Sequence, residues 1–142
     1  MICGLGELEN YLKELIHDLG LENRVILAGY RNDVVEQLHA ADCFVFPSFQ
    51  EGLPVALMEA MAVGLPVVCS KIRGNVDLIE HGINGFLVDP ENSNDFARYI
   101  EKIISDETIQ AEMSKKNLEY VKKYDKKNIR QNMIAIYKGA TV

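Results

Sequence analysis

Two kinds of hydrophobic pattern alternate along this chain. Short runs that are apolar at nearly every position, Met1 to Cys3, Val25 to Ala28, Cys43 to Pro47, Pro66 to Ser70 and Phe86 to Val88, lie among Gly and Pro residues. A strand covered on both faces loses the in–out alternation of a half-buried one, so these runs predict short strands inside a layered sheet. Between them, apolar residues recur every three or four positions, the spacing of a helix with one inward face. Leu8, Tyr11, Leu12, Leu15, Ile16 and Leu19 mark the first helix, with Gly20 as its stop. Asp33 is placed to cap a short helix through Ala41 that turns Val34, Val35 and Leu38 inward. Pro54 to Val63 is a third, with Pro at its start and Gly64 just beyond its end, and Val76 to Glu80 a short fourth. From Ser93 onward the strands cease. Phe96, Ile100, Ile103 and Ile104, then Ile109, Met113, Leu118 and Val121, then Ile129, Met133, Ile134 and Tyr137 predict three more helices.

Strands joined through helices pair in parallel with right-handed crossovers. The expected fold is therefore an α/β, Rossmann-like, doubly wound parallel sheet with extra C-terminal helices, residues 1–142 forming one domain.

Composition narrows the function classes. Hydrophobic residues make up 48% and charged residues 25% of the 142, the balance of a folded globular chain. A net charge of −6 gives no general attraction for nucleic acid or anionic membrane, so any phosphate must be held locally. No apolar run approaches the roughly 20 residues of a membrane span, and no basic stretch followed by an apolar signal segment opens the chain. Cys3, Cys43 and Cys69 sit in strand-like runs without CxxC spacing and read as small core residues of a reducing cytoplasm. Lys115, Lys116, Lys122, Lys123, Lys126 and Lys127 read as solvated helix faces. His17, His39 and His81 read as surface or capping residues, not general bases.

Ligands of open α/β sheets bind beyond the carboxyl ends of the strands. Of the loops that lie there, Pro47-Ser48-Phe49-Gln50-Glu51-Gly52-Leu53-Pro54 is the most informative. It runs into a helix whose one charged residue is Glu59, which predicts that this carboxylate is buried on nearly all sides. Burial of an unpaired carboxylate costs several kcal/mol, so either a protein partner or the hydroxyls of a ligand should receive it. Glu51 stands eight positions earlier, about 12 Å away at helical rise. Between the two, the amides near Gly52 and Leu53 open a helix N-terminus suited to a diphosphate.

The run Ser48-x-x-Glu51-Gly52-Leu53-Pro54 through Glu59-Ala60-Met61-Ala62-x-Gly64-x-Pro66-Val67-Val68 resembles the E-x7-E signature of retaining GT-B glycosyltransferases of the family 4 type. Cys3-Gly4-Leu5-Gly6-Glu7, Val25 to Tyr30, Ala41 to Ser48, Arg73 to Ile79 and Asn84 to Val88 are similar to other segments of that family's C-terminal, donor-binding domain. The resemblance covers roughly residues 1 to 105. It implies donor-sugar contact and a catalytic role for Glu51, diphosphate or sugar contact for the amides of Gly52 and Leu53, and ribose binding by Glu59 with Leu57 lining the same pocket. It also implies a place near the nucleobase for Gly29, Tyr30 and Arg31. The substrate would be a nucleotide diphosphate sugar, bound without a metal ion or other cofactor. The acceptor would be a glycan or lipid-linked glycan reached through another domain. The enzyme would act in polysaccharide or related glycan synthesis, in the cytoplasm or at the inner face of the membrane.

Departures from the pattern matter too. The family's domain opens with a strand, a loop bearing Arg and Lys for the diphosphate, and a helix. This chain begins at what resembles the next unit, so those two bases, and the N-terminal acceptor domain, have no counterpart. Lys71 and Arg73 are the nearest cations, and a surface role is expected for both. The chain by itself is expected to be inactive, and to self-associate through an incomplete sheet if the missing strand is a central one. A nucleotide-sugar 2-epimerase on the same scaffold, or an inactive truncated domain, is the alternative reading. A dinucleotide-binding module fits poorly, because Gly4-Leu5-Gly6-Glu7-Leu8-Glu9 lacks the third glycine and no acid ends the following strand. A P-loop is absent as well.

Overall fold

The computed structural model describes residues 1–139, apart from the side chains of Lys126 and Asn132. They form two compact units, one of residues Met1–Val34 and one from Val35 onward.

The first unit is a strand–helix–strand element. β1 (Ile2–Cys3) pairs in parallel with β2 (Leu27–Gly29), and α1 (Glu9–Asp18) lies between them in sequence. The Ile2 and Gly4 amides donate to Ile26 and Gly29 carbonyls, both at 2.8 Å. The inward face expected of α1 is not buried. Leu12 and Ile16 are half-buried, while Leu8, Tyr11, Leu15 and Leu19 are exposed. Cys3 is exposed as well, against its expected place in a core. A strand of two residues and its single partner offer little area for a helix to cover.

The second unit holds the core. β3 (Phe44–Phe46), β4 (Val67–Ser70) and β5 (Phe86–Val88) form a parallel sheet in the order β3-β4-β5, with Phe44 opposite Val67 and Val68 opposite Phe86. Every residue of the central strand β4 is buried. Its period of two divides the core. Val67 and Cys69 pack with Leu57 and Met61 of α3 (Val55–Ala62) and with Leu78 and Ile79. Val68 packs with Phe86 and Val88, and with Phe96 and Ile103 of α4 (Ser93–Ile104) and Met113 of α5 (Glu107–Tyr120). Helices on both faces of a parallel sheet match the doubly wound expectation. Hydrogen bonding, however, makes two sheets where one was expected, β1–β2 and β3–β4–β5.

Local chemistry explains the helix starts. The Asn92 side chain accepts from the Asp95 amide, and Asp106 accepts from the amides of Thr108 and Ile109 at 2.9 and 3.1 Å, which caps α4 and α5. α2 (Val34–His39) forms where Asp33 suggested a cap. Its Leu38 is buried beside Ala60 and Leu65, but Val34 and Val35 are exposed, contrary to expectation. The predicted helix at Val76 to Glu80 is a series of turns. The Asn75 carbonyl accepts from both Leu78 and Ile79 amides there, and Asn84 takes the Glu80 amide at 2.7 Å. A short 3-10 turn, Val121–Tyr124, leads to α6 (Lys126–Gly139), whose Ile129, Met133, Ile134 and Tyr137 are exposed. Leu118 of α5 is also exposed. The lysines named above are solvated where described, the Lys126 side chain lying outside the described residues.

Candidate functional site at the carboxyl ends of β3 and β4

β3 and β4 run in parallel with Phe46 opposite Cys69, so the segments that follow them leave the same edge of the sheet. After β3 comes the loop Pro47 to Pro54, and after β4 the turns Lys71 to Glu80. The two segments touch. A Cβ placed on Gly74 would lie 2.5 Å from the Gly52 carbonyl oxygen and 3.1 Å from that of Glu51. Glu51 and Gly52 are thus seated on the second segment, above the strand ends.

The far end of the loop is fixed by Pro54, which is buried and caps α3 with extended backbone at φ −76°, ψ 99°. Helical bonding begins with the Met58 amide donating to the Pro54 carbonyl at 3.2 Å. The amides of Val55, Ala56 and Leu57 therefore have no acceptor within the helix, and no side chain caps it. A proline start explains this, since the Pro side chain carries no oxygen to cap with. These unpaired amides give the helix start a partial positive charge, which favours an anion.

α3 carries two further site candidates, and both differ from expectation. Glu59 is exposed, not buried, and among the described residues it has no hydrogen-bond or ion-pair partner. The reason is the orientation of the helix. Leu57, Ala60, Met61 and Gly64 turn to the core, which leaves Val55, Ala56, Glu59 and Ala62 on the open side. The open face is therefore a small apolar stripe with one carboxylate in it. Leu57 is fully buried with Met61, Val67 and Cys69, so its side chain is a core group and does not line an open pocket. Its amide is one of the three uncapped donors at the helix start.

Glu51 is half-buried, Gly52 is exposed, and Leu53 is 57% exposed. Glu51 also lacks a side-chain partner among the described residues. Lys71 and Arg73, on the adjoining segment, are exposed and without an ion pair among those residues. Thus Glu51, Gly52, Leu53 and the start of α3 come together at one strand edge. Gly29 ends β2 in the first unit, and Tyr30 and Arg31 follow it. There Tyr30 is 77% exposed, and Arg31 is engaged by Asp33, its Nε donating to Oδ1 at 2.7 Å and its Nη2 to Oδ2. That pairing holds the guanidinium pKa above its ordinary value.

Two clefts of the second unit lie elsewhere. One, of about 370 Å³, opens between Leu38, Pro66 and Gln110 at the amino end of β4, and one of about 630 Å³ lies over Ser114 and Lys122 of the α5 region. Neither contains Glu51 or Glu59. Among the described residues no three His, Cys, Asp or Glu side chains converge on a metal site, and no helix is long and apolar enough to cross a membrane. Sequence reasoning missed the seat under the loop. Its trace was Gly74 beside an asparagine, Asn75, that is wholly buried.

The sequence pattern of the family described as "Glycosyl transferases group 1" matches residues 1–123. The chain is 38% identical over 110 residues to the UDP-Gal:alpha-D-GlcNAc-diphosphoundecaprenol alpha-1,3-galactosyltransferase of Escherichia coli, covering 77% of this chain and 28% of that protein. It is 33% identical over 109 residues to the N,N'-diacetylbacillosaminyl-diphospho-undecaprenol alpha-1,3-N-acetylgalactosaminyltransferase of Campylobacter jejuni, covering 77% and 29%. Among solved structures, Anabaena HepE in complex with UDP superposes with a TM-score of 0.88 at 33% identity, over 96% of this chain and 40% of that one. The chain thus spans well under half the length of each of these proteins.

Proposed function

The chain belongs to the group 1 glycosyl transferases, and from that premise we propose that it is the donor-binding part of a retaining enzyme that uses a nucleoside diphosphate sugar. One observation carries the reading. An uncapped helix start follows the Glu51–Gly52 loop, which is seated on Gly74 at the carboxyl edge of β3 and β4, in a chain whose structural relative HepE is solved with UDP and with UDP-glucose.

In this reading the amides of Gly52, Leu53 and the first turn of α3 hold the diphosphate. As the bond from the sugar's anomeric carbon to the diphosphate oxygen breaks, its electron pair goes to that oxygen. The waiting amides stabilise the growing negative charge there. An acceptor hydroxyl supplies the oxygen that replaces it on the anomeric carbon, and its proton passes to the departing diphosphate oxygen. Glu51 orients the donor sugar, whose ring gains positive charge as the bond opens. Glu59, free on the open face of α3, takes the ribose hydroxyls, and Val55 and Ala56 beside it form the apolar floor. Exposure makes Glu59 available to a ligand without the cost of burying an unpaired carboxylate. Because the net charge is −6, this local set of donors is what offsets repulsion of the diphosphate.

The names of the E. coli and C. jejuni relatives support a lipid-linked glycan as acceptor, and with it action at the inner face of a membrane by the full-length protein. Donor binding is proposed to need no metal ion. Both relatives just mentioned are transferases, which favours transfer over epimerisation.

The test uses the full-length protein with UDP-sugars. Glu51→Ala should lower transfer by about 100-fold or more, the scale for losing one positioned group at the reacting centre. Glu59→Gln should lower it by roughly 10- to 100-fold, the worth of a charged hydrogen bond. Both should melt within about 0.5 kcal/mol of wild type, since neither side chain is paired. Turnover like wild type in both variants removes the site assignment, and loss of transfer in excess chelator removes the metal-free reading.

A further inference from the structure

We propose that Gly74 is the positioning residue of this site: it is the seat on which the Glu51–Gly52 backbone rests, and Asn75 locks that seat to the sheet. The proposal rests on the donor-site reading for its catalytic consequence but not for its geometry.

The seat is rigid for reasons visible in its hydrogen bonds. Ser70 ends β4 fully buried, and its carbonyl accepts from the Ile72 amide at 2.9 Å and from the Asn75 side-chain amide at 2.9 Å. The Lys71 amide donates across to the Val88 carbonyl at 2.6 Å, and the Asn75 carbonyl takes the Leu78 and Ile79 amides. Gly74 is therefore pinned between two fixed points, at φ +89°. The atoms that its Cβ would meet, at 2.5 to 3.2 Å, are the Gly52 carbonyl oxygen and carbon and the Glu51 carbonyl oxygen. All three are backbone, so no change of rotamer relieves the clash. Since Pro54 is buried at the other end of the loop, the Glu51–Gly52 peptide has to move, and with it the carboxylate and amides assigned to the donor.

Gly82 supplies the control. Its φ of +81° imposes the same backbone strain on alanine, but a Cβ there has no neighbour within 4 Å. Any difference between Gly74→Ala and Gly82→Ala reports the contact and not the strain.

The experiment compares wild type, G74A and G82A in the full-length enzyme. It reads UDP affinity by calorimetry, donor KM, acceptor KM, kcat, and amide hydrogen exchange. We expect G74A to weaken UDP binding and raise donor KM at least tenfold relative to G82A, with acceptor KM unchanged. Faster exchange should be confined to residues 48–54. Equal behaviour of the two variants overturns the proposal. So does faster exchange throughout the second unit in G74A alone, because Gly74 would then serve folding and not position. If wild type fails to bind UDP, the donor reading falls, yet a local exchange difference at 48–54 would still uphold Gly74 as the seat of the loop.

Discussion

Helices α1 and α3 make opposite use of their sequences. α1 has the cleaner pattern, with leucines and isoleucine at helical spacing on one side and Glu9, Lys13 and Glu14 on the other, yet it buries no residue. It also gains the Glu9–Lys13 ion pair at 2.7 Å, of the i, i+4 kind that supports a helix by a few tenths of a kcal/mol. α3 has almost no polar face to read, yet it buries Leu57, Ala60 and Met61 and leaves Glu59 open. An amphipathic pattern shows which side of a helix seeks cover. Whether cover exists depends on the sheet behind it: two short strands in the first unit, and three with a wholly buried centre in the second.

The largest test of that contrast is truncation. Leu57→Ala removes a fully buried side chain and should cost about 3 kcal/mol in a denaturant melt of the second unit. Tyr11→Ala, at a position 58% exposed on α1, should cost about 0.5 kcal/mol or less. Equal losses would show that the apolar side of α1 is covered in solution.

A smaller contrast concerns asparagines. Asn117 is fully buried. Its amide donates to the Leu65 carbonyl at 2.7 Å and the Asn84 carbonyl at 2.9 Å, and its oxygen accepts from Asn84 at 3.0 Å. Asn117→Ala strands the Leu65 and Asn84 carbonyls inside the protein, leaves the Asn84 side-chain amide only its bond to the Leu78 carbonyl, and should cost about 2 kcal/mol. Asn10→Ala, on exposed α1, should cost next to nothing; a penalty at Asn10 as large as that at Asn117 would break the contrast.

The thiols give the smallest effect, invisible near neutral pH. Burial pushes the Cys69 thiol from its ordinary 9.0 up to about 12, and Cys43 likewise. The unfolded chain then ionises first as pH rises. The stability that these thiols contribute is fully present below about 9 and is lost progressively towards 12. A thiol reagent at mild pH should label exposed Cys3 in the native protein, and Cys69 only after unfolding. Rapid native labelling of Cys69 would mean that β4 opens.

Local pattern sufficed for the element order, because strand and helix periods are properties of neighbouring residues. The five strand runs, the parallel α/β class and the proline start of α3 were all legible in the sequence. So was the likeness to the transferases, which lies in a continuous block around residues 48–68. Tertiary packing decided what a one-dimensional pattern cannot hold. It turned Glu59 outward by turning Leu57 inward, since one helix face had to meet β4. It broke the predicted turn of helix at Val76–Glu80 by giving its backbone to Asn75 and Asn84. It also set Gly74 against Gly52. Those two residues lie 22 positions apart in the sequence and meet only because β3 and β4 end side by side.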